Sequence, residues 1–173
     1  MLLLLLGCAP DVYTLVGTLD ETDAWIGVAV EGDSALAYVA GGEDTLVTHS
    51  RWFTDADLFS TELRDEVNGW TFEASVTESG ATGTLLSPED ELFTFELLDT
   101  GVLFDAADSG CRDGAVMRPG DGGLELQGVW CDTLGSQEPV IPVTELAMDL
   151  ELLEVQVETD AGLRAFDMGP VRP

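Results

Sequence analysis

Apolar and polar residues alternate one by one through much of this chain, and that alternation constrains its fold more than any other feature. The stretches 26–31, 70–77, 145–152 and 154–158 each place apolar side chains at every second position. Successive side chains of a β-strand point to opposite faces, so such a stretch buries one face and exposes the other to water. The pattern therefore predicts half-buried antiparallel strands.

Turn-forming residues interrupt these stretches about every ten residues, as in an all-β domain of many short strands. Asn68-Gly69 is the preferred pair for a two-residue hairpin, because both residues tolerate positive φ. Consecutive hairpins favour a meander, so we predict a single-domain antiparallel β-barrel, with a β-sandwich as the alternative. The predicted strands cover 12–19, 24–31, 34–40, 46–53, 70–77, 82–87, 91–98, 101–105, 123–131, 146–158 and 163–168.

Two stretches fit helical spacing as well as a strand. The range 55–67 has apolar residues at the spacing of a short helix, and its structure is left undecided. The range 144–154 also fits a helix, but we predict a bent strand there, because the alternation of 155–158 continues it. The alternation changes phase between Leu152 and Val155, which predicts a bulge or a bend.

The chain is extremely acidic, with 34 acidic residues against 6 basic ones and a net charge of −28. All the basic residues are arginines. Such a surface repels phosphate backbones, so the composition excludes a nucleic-acid partner. It also repels itself, so we expect salt or divalent cations to stabilise the fold. The acids are spread along the chain, which favours solubility or adaptation to a salty medium over a cation-binding surface.

The first residues carry a leucine run that ends in Leu5-Leu6-Gly7-Cys8. This sequence resembles the lipobox of bacterial lipoproteins, in which cleavage before the cysteine is accompanied by attachment of lipid to its sulfur. The resemblance implies a signal peptide over 1–7, lipidation of Cys8 with acyl chains such as palmitate, and a tether over 8–12. No basic residue precedes Arg51, so we expect that the signal peptide begins upstream of Met1.

The resemblance also implies a location. The protein would be exported and held at the membrane through its lipid, since two or three acyl chains anchor stably. In Gram-negative sorting an aspartate after the lipidated cysteine retains the protein in the inner membrane. Ala9 stands there, so the outer membrane is implied. Residues 13–173 would form the all-β domain.

If Cys8 carries lipid, Cys111 and Cys131 remain as one pair. An exported compartment allows a disulfide between them, and the loop closed would be about 20 residues long. The segment from Asp108 to Gly123 is rich in Gly, Asp and Pro, so we expect a loop that the disulfide holds in place. Zinc is the weaker alternative for these thiols, because there is no CxxC spacing and His49 is the only histidine.

A second resemblance covers residues 25–106. It rests on Ala37-Tyr38-Val39, Arg51-Trp52-Phe53, Gly69-Trp70, Gly83-Thr84-Leu85 and Phe93-Thr94-Phe95. These short motifs resemble a pattern of exported bacterial β-domains that have no assigned activity. The resemblance supports an exported β-domain and implies no site.

Residues suited to catalysis or metal binding are few. His49 has no Gly-x-Ser-x-Gly nucleophile motif beside it, so we predict no catalytic residue. Asp105, Asp108, Asp113 and Asp121 are the best candidates for binding Ca²⁺, but their spacing matches no calcium loop, and solvated loop acids are the favoured interpretation. No other cofactor is indicated. The tryptophans at 25, 52, 70 and 130 either pack in the core or line a carbohydrate or lipid pocket.

The sequence thus predicts a cell-envelope lipoprotein that acts as a non-catalytic structural or interaction module. The alternative is a barrel that carries a small apolar ligand, and an enzyme comes third. The partner is not indicated, apart from the membrane that would hold the lipid of Cys8.

Overall fold

The computed structural model describes residues 12–54, 62–106, 112–132, 134 and 136–173. The chain is almost entirely β, which confirms the predicted fold class. The strands are β1 Val12–Thr18, β2 Trp25–Glu31, β3 Ser34–Ala40, β4 Arg51–Phe53, β5 Glu62–Val67, β6 Trp70–Thr77, β7 Gly80–Leu86, β8 Leu92–Leu97, β9 Asp99–Thr100, β10 Val102–Ala106, β11 Asp113–Gly120, β12 Gly123–Cys131, β13 Gln137–Pro139, β14 Ile141–Pro142, β15 Leu153–Thr159 and β16 Gly162–Pro170. The described part contains one short helix, α1, at Leu46–His49.

The first nine strands form two antiparallel sheets that curve round a common core. One sheet has the order β4-β3-β2-β1-β9 and the other β5-β6-β7-β8. The sheets meet where Leu19 bridges Phe95 and where Asp20 N–H donates to Thr94 O at 2.9 Å. β4 also lies beside β5. Phe53, Phe72 and other large side chains fill the space between the sheets, and we call this unit the first barrel.

The remaining strands form a nearly closed, barrel-like sheet of seven strands with the order β13-β12-β11-β10-β16-β15-β14. Its interior is packed with Phe104, Met117, Trp130 and Met168, and we call it the second barrel. A third apolar cluster joins the two barrels, and we call it the junction cluster. It has Val16, Leu36 and Tyr38 on one side and Leu103, Val116 and Val171 on the other.

The hairpin turns follow the predicted chemistry. Asn68 and Gly69 have φ of 53° and 81°, the positive values that a two-residue hairpin of this type requires. They join β5 to β6 in a ladder that pairs Val67 with Trp70. The described half of the undecided range 55–67 is therefore strand.

Three predictions about secondary structure were wrong. The range 46–53 is not one strand, because Leu46–His49 is helical and only Arg51–Phe53 is extended. The range 146–158 is not a bent strand either: β15 begins at Leu153, and Val143 N–H donates to Glu154 O at 2.9 Å, so the preceding chain folds back beside the strand.

The third error concerns the range 108–123, which was expected to be a loop held by a disulfide. Residues 113–120 form β11 instead, paired with β10 on one side and β12 on the other. Ala115, Val116 and Met117 are fully buried in it. A strand hydrogen-bonded on both sides is stabilised by its neighbours, and a Gly- and Asp-rich sequence does not reveal that.

Candidate functional site

A groove of about 490 Å³ lies where the two barrels meet. One wall is the chain between β3 and α1, and the other is formed by β12 and the residues around β13. The lining residues are Gly41, Gly42, Glu43, Leu46, Leu126, Gln127, Gly128, Pro139 and Val140. Four of the lining side chains are apolar, one is a carboxylate and one is an amide, a composition typical of small binding sites.

Gln127 fixes the two walls relative to each other. Its Nε2 donates to Ala40 O at 2.7 Å and to Asp23 O at 3.0 Å. Gln127 belongs to β12 of the second barrel, and both acceptors belong to the first. The groove is therefore held by polar bonds across the junction as well as by the apolar cluster beside it.

The wall over Gly41–Thr45 is organised round the carboxylate of Asp23. Oδ2 accepts from Asp44 N–H at 2.7 Å, and Oδ1 accepts from Thr45 Oγ1–H at 2.5 Å. Burial alone would raise the pKa of Asp23, but these hydrogen bonds and those from nearby backbone groups outweigh it, so the pKa lies below its ordinary value. Gly42 packs so closely that a Cβ there would lie 2.5 Å from the carboxylate.

His49 lies at the end of α1 and is buried. Its ring meets the rings of Trp70 and Phe93 edge-on, each with a centroid distance of 5.1 Å. Nδ1 is 2.8 Å from Thr48 Oγ1, while Nε2 has no hydrogen-bond partner within the described residues. Burial and the nearby Arg51 lower the pKa of His49, and Asp23 and Glu91 oppose this shift.

Ser50, the residue after His49, is hydrogen-bonded to the backbone at the start of the same segment. Its Oγ accepts from Gly41 N–H at 2.9 Å, which closes the base of the segment that carries Leu46. The residues round His49 thus make structural bonds that hold the groove wall. The prediction that the chain has no catalytic residue stays a prediction.

Each of the four tryptophans is covered by an arginine. Arg51, Arg112 and Arg118 place Cζ 4.0 Å from the ring centroids of Trp70, Trp52 and Trp25, and Arg164 lies 5.8 Å from that of Trp130. Trp70 and Trp130 are buried in the two cores, and the other two are half-buried against the junction cluster. None of them lines the groove, so the tryptophans act mainly in packing.

The described candidates for binding calcium do not converge. Asp105 accepts from Arg112 Nε and NH2 at 2.8 and 2.6 Å. Asp113 is completely buried and accepts from Cys131 N–H at 2.9 Å, so it is not the solvated loop acid that was expected. Asp121 is exposed beyond the other end of β11. At the rise per residue of an extended strand it lies about 25 Å from Asp113. Asp108 lies outside the described residues.

Of the three cysteines, Cys131 lies within the described residues. Cys8 and Cys111 lie outside the described residues, so neither the lipidation site nor the pairing with Cys111 is seen. Cys131 ends β12 and is buried, with Sγ 3.3 Å from Asp113 Oδ1. The disulfide with Cys111 that the sequence predicts stays a prediction.

Comparison with protein-family models, with curated proteins and with solved structures gives no match. In the part of the chain that the structure describes, no helix has the length and apolar character needed to cross a bilayer. The same residues contain no group of three or more His, Cys, Asp or Glu arranged to hold a metal ion.

Asp23 and Gln127 are the site residues that sequence reasoning missed. Asp23 is one acid among 34, and its partners Asp44 and Thr45 lie more than 20 residues away. Gln127 occupies a polar position of an ordinary alternating strand. The only local signal was Gly41-Gly42, which indicated a turn but not a wall of a groove.

Proposed function

We propose that this protein is a non-catalytic interaction module of the cell envelope, tethered through lipid on Cys8, and that it binds its partner in the groove between the barrels. The groove carries this proposal, because it is open, partly apolar and held by Gln127 and Asp23 rather than left to side-chain mobility. Preformed grooves bind with less loss of conformational freedom than loose surfaces do.

The chemistry of the groove favours a protein segment that presents an apolar side chain beside an arginine or lysine. Leu46, Leu126 and Val140 offer apolar contact, and Glu43 is the titratable residue of the lining. Arginine is absent from the lining, and four of the six arginines already cover tryptophan rings. A cationic segment is also attracted by the net charge of −28, whereas an anionic one is repelled.

Exposed apolar residues near the groove support the same assignment. Val47 follows Leu46 in α1 and is 71% exposed, and Ile141 follows Val140 and is 47% exposed. α1 packs close to β13, so these residues lie on segments that border the groove. The carrier alternative would need room inside a barrel, and there Phe53, Phe72 and Met117 are fully buried in packed clusters.

Two synthetic peptides test the proposal. Both contain the same leucines, and the residues between the leucines are arginine in one peptide and glutamate in the other. We expect binding of the arginine peptide that persists when salt screens general attraction, with little binding of its glutamate counterpart. Leu46→Ala removes an apolar side chain of the lining without changing the charge, and it should weaken binding about tenfold, a typical loss for a contact residue of an interface. Leu163→Ala is the matched control, since Leu163 is 69% exposed and lies on the β15–β16 hairpin outside the groove lining.

Equal binding of both peptides, or an equal loss in both variants, would reject the groove as a partner site. A small apolar dye that binds the protein and does not compete with the arginine peptide would favour the carrier alternative instead. The tether is tested separately by mass spectrometry of the mature protein from bacterial membranes. Acylated Cys8 at the N-terminus supports it, and an unmodified Cys8 contradicts it.

A further inference from the structure

The segment Gly41–Ser50, which we call the latch, forms one wall of the groove and is held at two separate points. Asp23 binds its first half, and the cleft between Trp70 and Phe93 receives His49 at its second half. We propose that the latch is an acid-sensitive gate, which mild acid releases at His49 and stronger acid releases at Asp23, so that the groove loses its wall. The effect on a partner rests on the proposed function, but the release itself does not.

The first point of attachment depends on an ionised carboxylate. Asp23 accepts from Asp44 N–H and from Thr45 Oγ1–H, and Thr45 Oγ1 in turn accepts from Gly42 N–H at 3.0 Å. Protonation replaces a strong charged acceptor by a neutral one, and hydrogen bonds to charged groups are about twice as strong as neutral ones. Three residues of the latch would loosen together.

The second point of attachment depends on a neutral imidazole. Trp70 of β6 and Phe93 of β8 enclose the ring, and among the described residues Nε2 has no acceptor for the N–H that it carries in the protonated ring. Arg51 of β4 lies over Trp70 and donates from Nε to His49 O at 3.1 Å. A protonated His49 would therefore place a second cation beside Arg51 in an aromatic cleft.

Other charged groups lie on the latch and on the elements packed against it. The carboxylates of Asp23 and Glu91 face His49 and oppose the lowering of its pKa, yet burial and Arg51 prevail. Glu89 acts on Arg51 rather than on His49. The latch itself carries Glu43 and Asp44, and β13, which packs near α1, carries Glu138. β3 contributes no carboxylate to this side.

Both attachments weaken in the same direction of pH. The pKa of His49 in the folded chain lies below its ordinary 6.5, so its contribution is complete above that value and is lost as the pH falls through the folded pKa. Asp23 also has a lowered pKa, so its contribution is lost only below its ordinary 3.8. Release therefore begins with His49 in mild acid and is completed at Asp23 in stronger acid.

Hydrogen exchange of the full chain, corrected for the intrinsic effect of pH, tests the gate in the absence of any partner. Between about pH 7 and about pH 5 we expect the latch to lose several-fold in protection while β6 and β7 keep theirs. His49→Phe keeps an aromatic ring without a titrating group and should abolish this step. Asp23→Asn should lower protection of the latch already at neutral pH. Asp33→Asn, in the exposed β2–β3 turn, is the matched control and should behave as wild type.

The single histidine provides a second measurement that needs no variant. Its ring protons give one titration curve by NMR, and the midpoint should lie below 6.5. Any of three results would overturn the gate. The midpoint of the titration could lie at or above 6.5, the latch of His49→Phe could lose the same protection as wild type, or β6 and β7 could lose protection together with the latch. Failure of the arginine peptide to bind at neutral pH would remove the proposed function and leave these results unaffected. If the peptide binds, its affinity should fall in step with latch protection.

Discussion

The side-chain amide of Gln127 on β12 donates to the carbonyl oxygen of Ala40 at the end of β3, over 2.7 Å. The same nitrogen donates to Asp23 O, whose side chain holds the latch. One residue of the second barrel thus fixes two chain segments of the first barrel at the edge of the groove. These polar contacts act together with the apolar cluster that joins the two barrels.

Replacing Gln127 should weaken the junction. Gln127→Leu retains much of the volume but leaves Ala40 O and Asp23 O without this donor, and a buried acceptor that loses its partner costs about 1–3 kcal/mol. Urea denaturation should show that loss in the free energy of unfolding. Gln156→Leu is the control, since Gln156 is half-buried on β15 and pairs with Ile141 and Ala165 within the second barrel, and it should change the free energy of unfolding much less. Equal effects of the two substitutions would contradict the assigned role of Gln127.

Gly42 should not tolerate a side chain. A Cβ at this position would lie 2.5 Å from the Asp23 carboxylate and 2.7 Å from its backbone oxygen, so Gly42→Ala must displace the latch. We expect a loss of about 1–3 kcal/mol, as for other overpacked sites, with exchange of the latch increased most. At Gly122 a Cβ meets nothing within 4 Å, so Gly122→Ala should be nearly neutral. A stable Gly42→Ala variant with a protected latch would contradict the packing.

Lysine should not replace arginine against a tryptophan ring without a loss of stability. Arg112 stacks on Trp52 and donates two hydrogen bonds to Asp105, and an ammonium group reproduces neither the planar stacking nor the paired donors. Arg112→Lys should lower the free energy of unfolding by about 1 kcal/mol. The control is Arg64→Lys, because the ion pair of Arg64 with Glu73 is largely exposed and contributes little. Equal stability of both variants in thermal melts would show that stacking is unimportant here.

Cys111 and Cys131 should be joined in the protein from an oxidising compartment. Peptide mapping without reductant should recover one cross-linked pair, and reduction should destabilise the fold by about 3 kcal/mol, the value for a loop of this length. Cys131→Ala compared with reduced wild type separates loss of the bond from loss of packing. Alkylation of both thiols in the native, unreduced protein would contradict the pairing.

Much of the strand pattern was predictable, because it depends on contacts between close neighbours. The strand at 34–40 has the predicted limits, and so do those at 70–77 and 123–131. The turns that join them have local signals such as Asn68-Gly69. The prediction failed at 46–53, where Asp23 imposes a turn from more than 20 residues away. It failed again at 113–120, where two neighbouring strands supply the hydrogen bonds.

The candidate site was hardly predictable. Of the residues singled out in the sequence, His49 lies beside the groove, but its part there is to anchor the latch. Asp105 and Asp113 lie at one end of the β10–β11 ladder, but Asp121 lies beyond the other end of β11, so the three aspartates do not form a shared site. The presence of six arginines and four tryptophans indicated that contacts between arginine and tryptophan were possible. Which pairs form depends on the register of strands that are distant in the sequence.

The sequence by itself determined that the chain is all-β, because a period of two can bury its apolar face only as a strand. It also determined the strongly negative net charge, which attracts a cationic partner and repels an anionic one. Only the tertiary structure decided that the strands curl into two barrels, that a groove lies between them, and that Asp23 and Gln127 build its walls. The reason is physical: alternation acts between adjacent residues, whereas the groove arises from hydrogen bonds between residues about 20 to more than 80 positions apart.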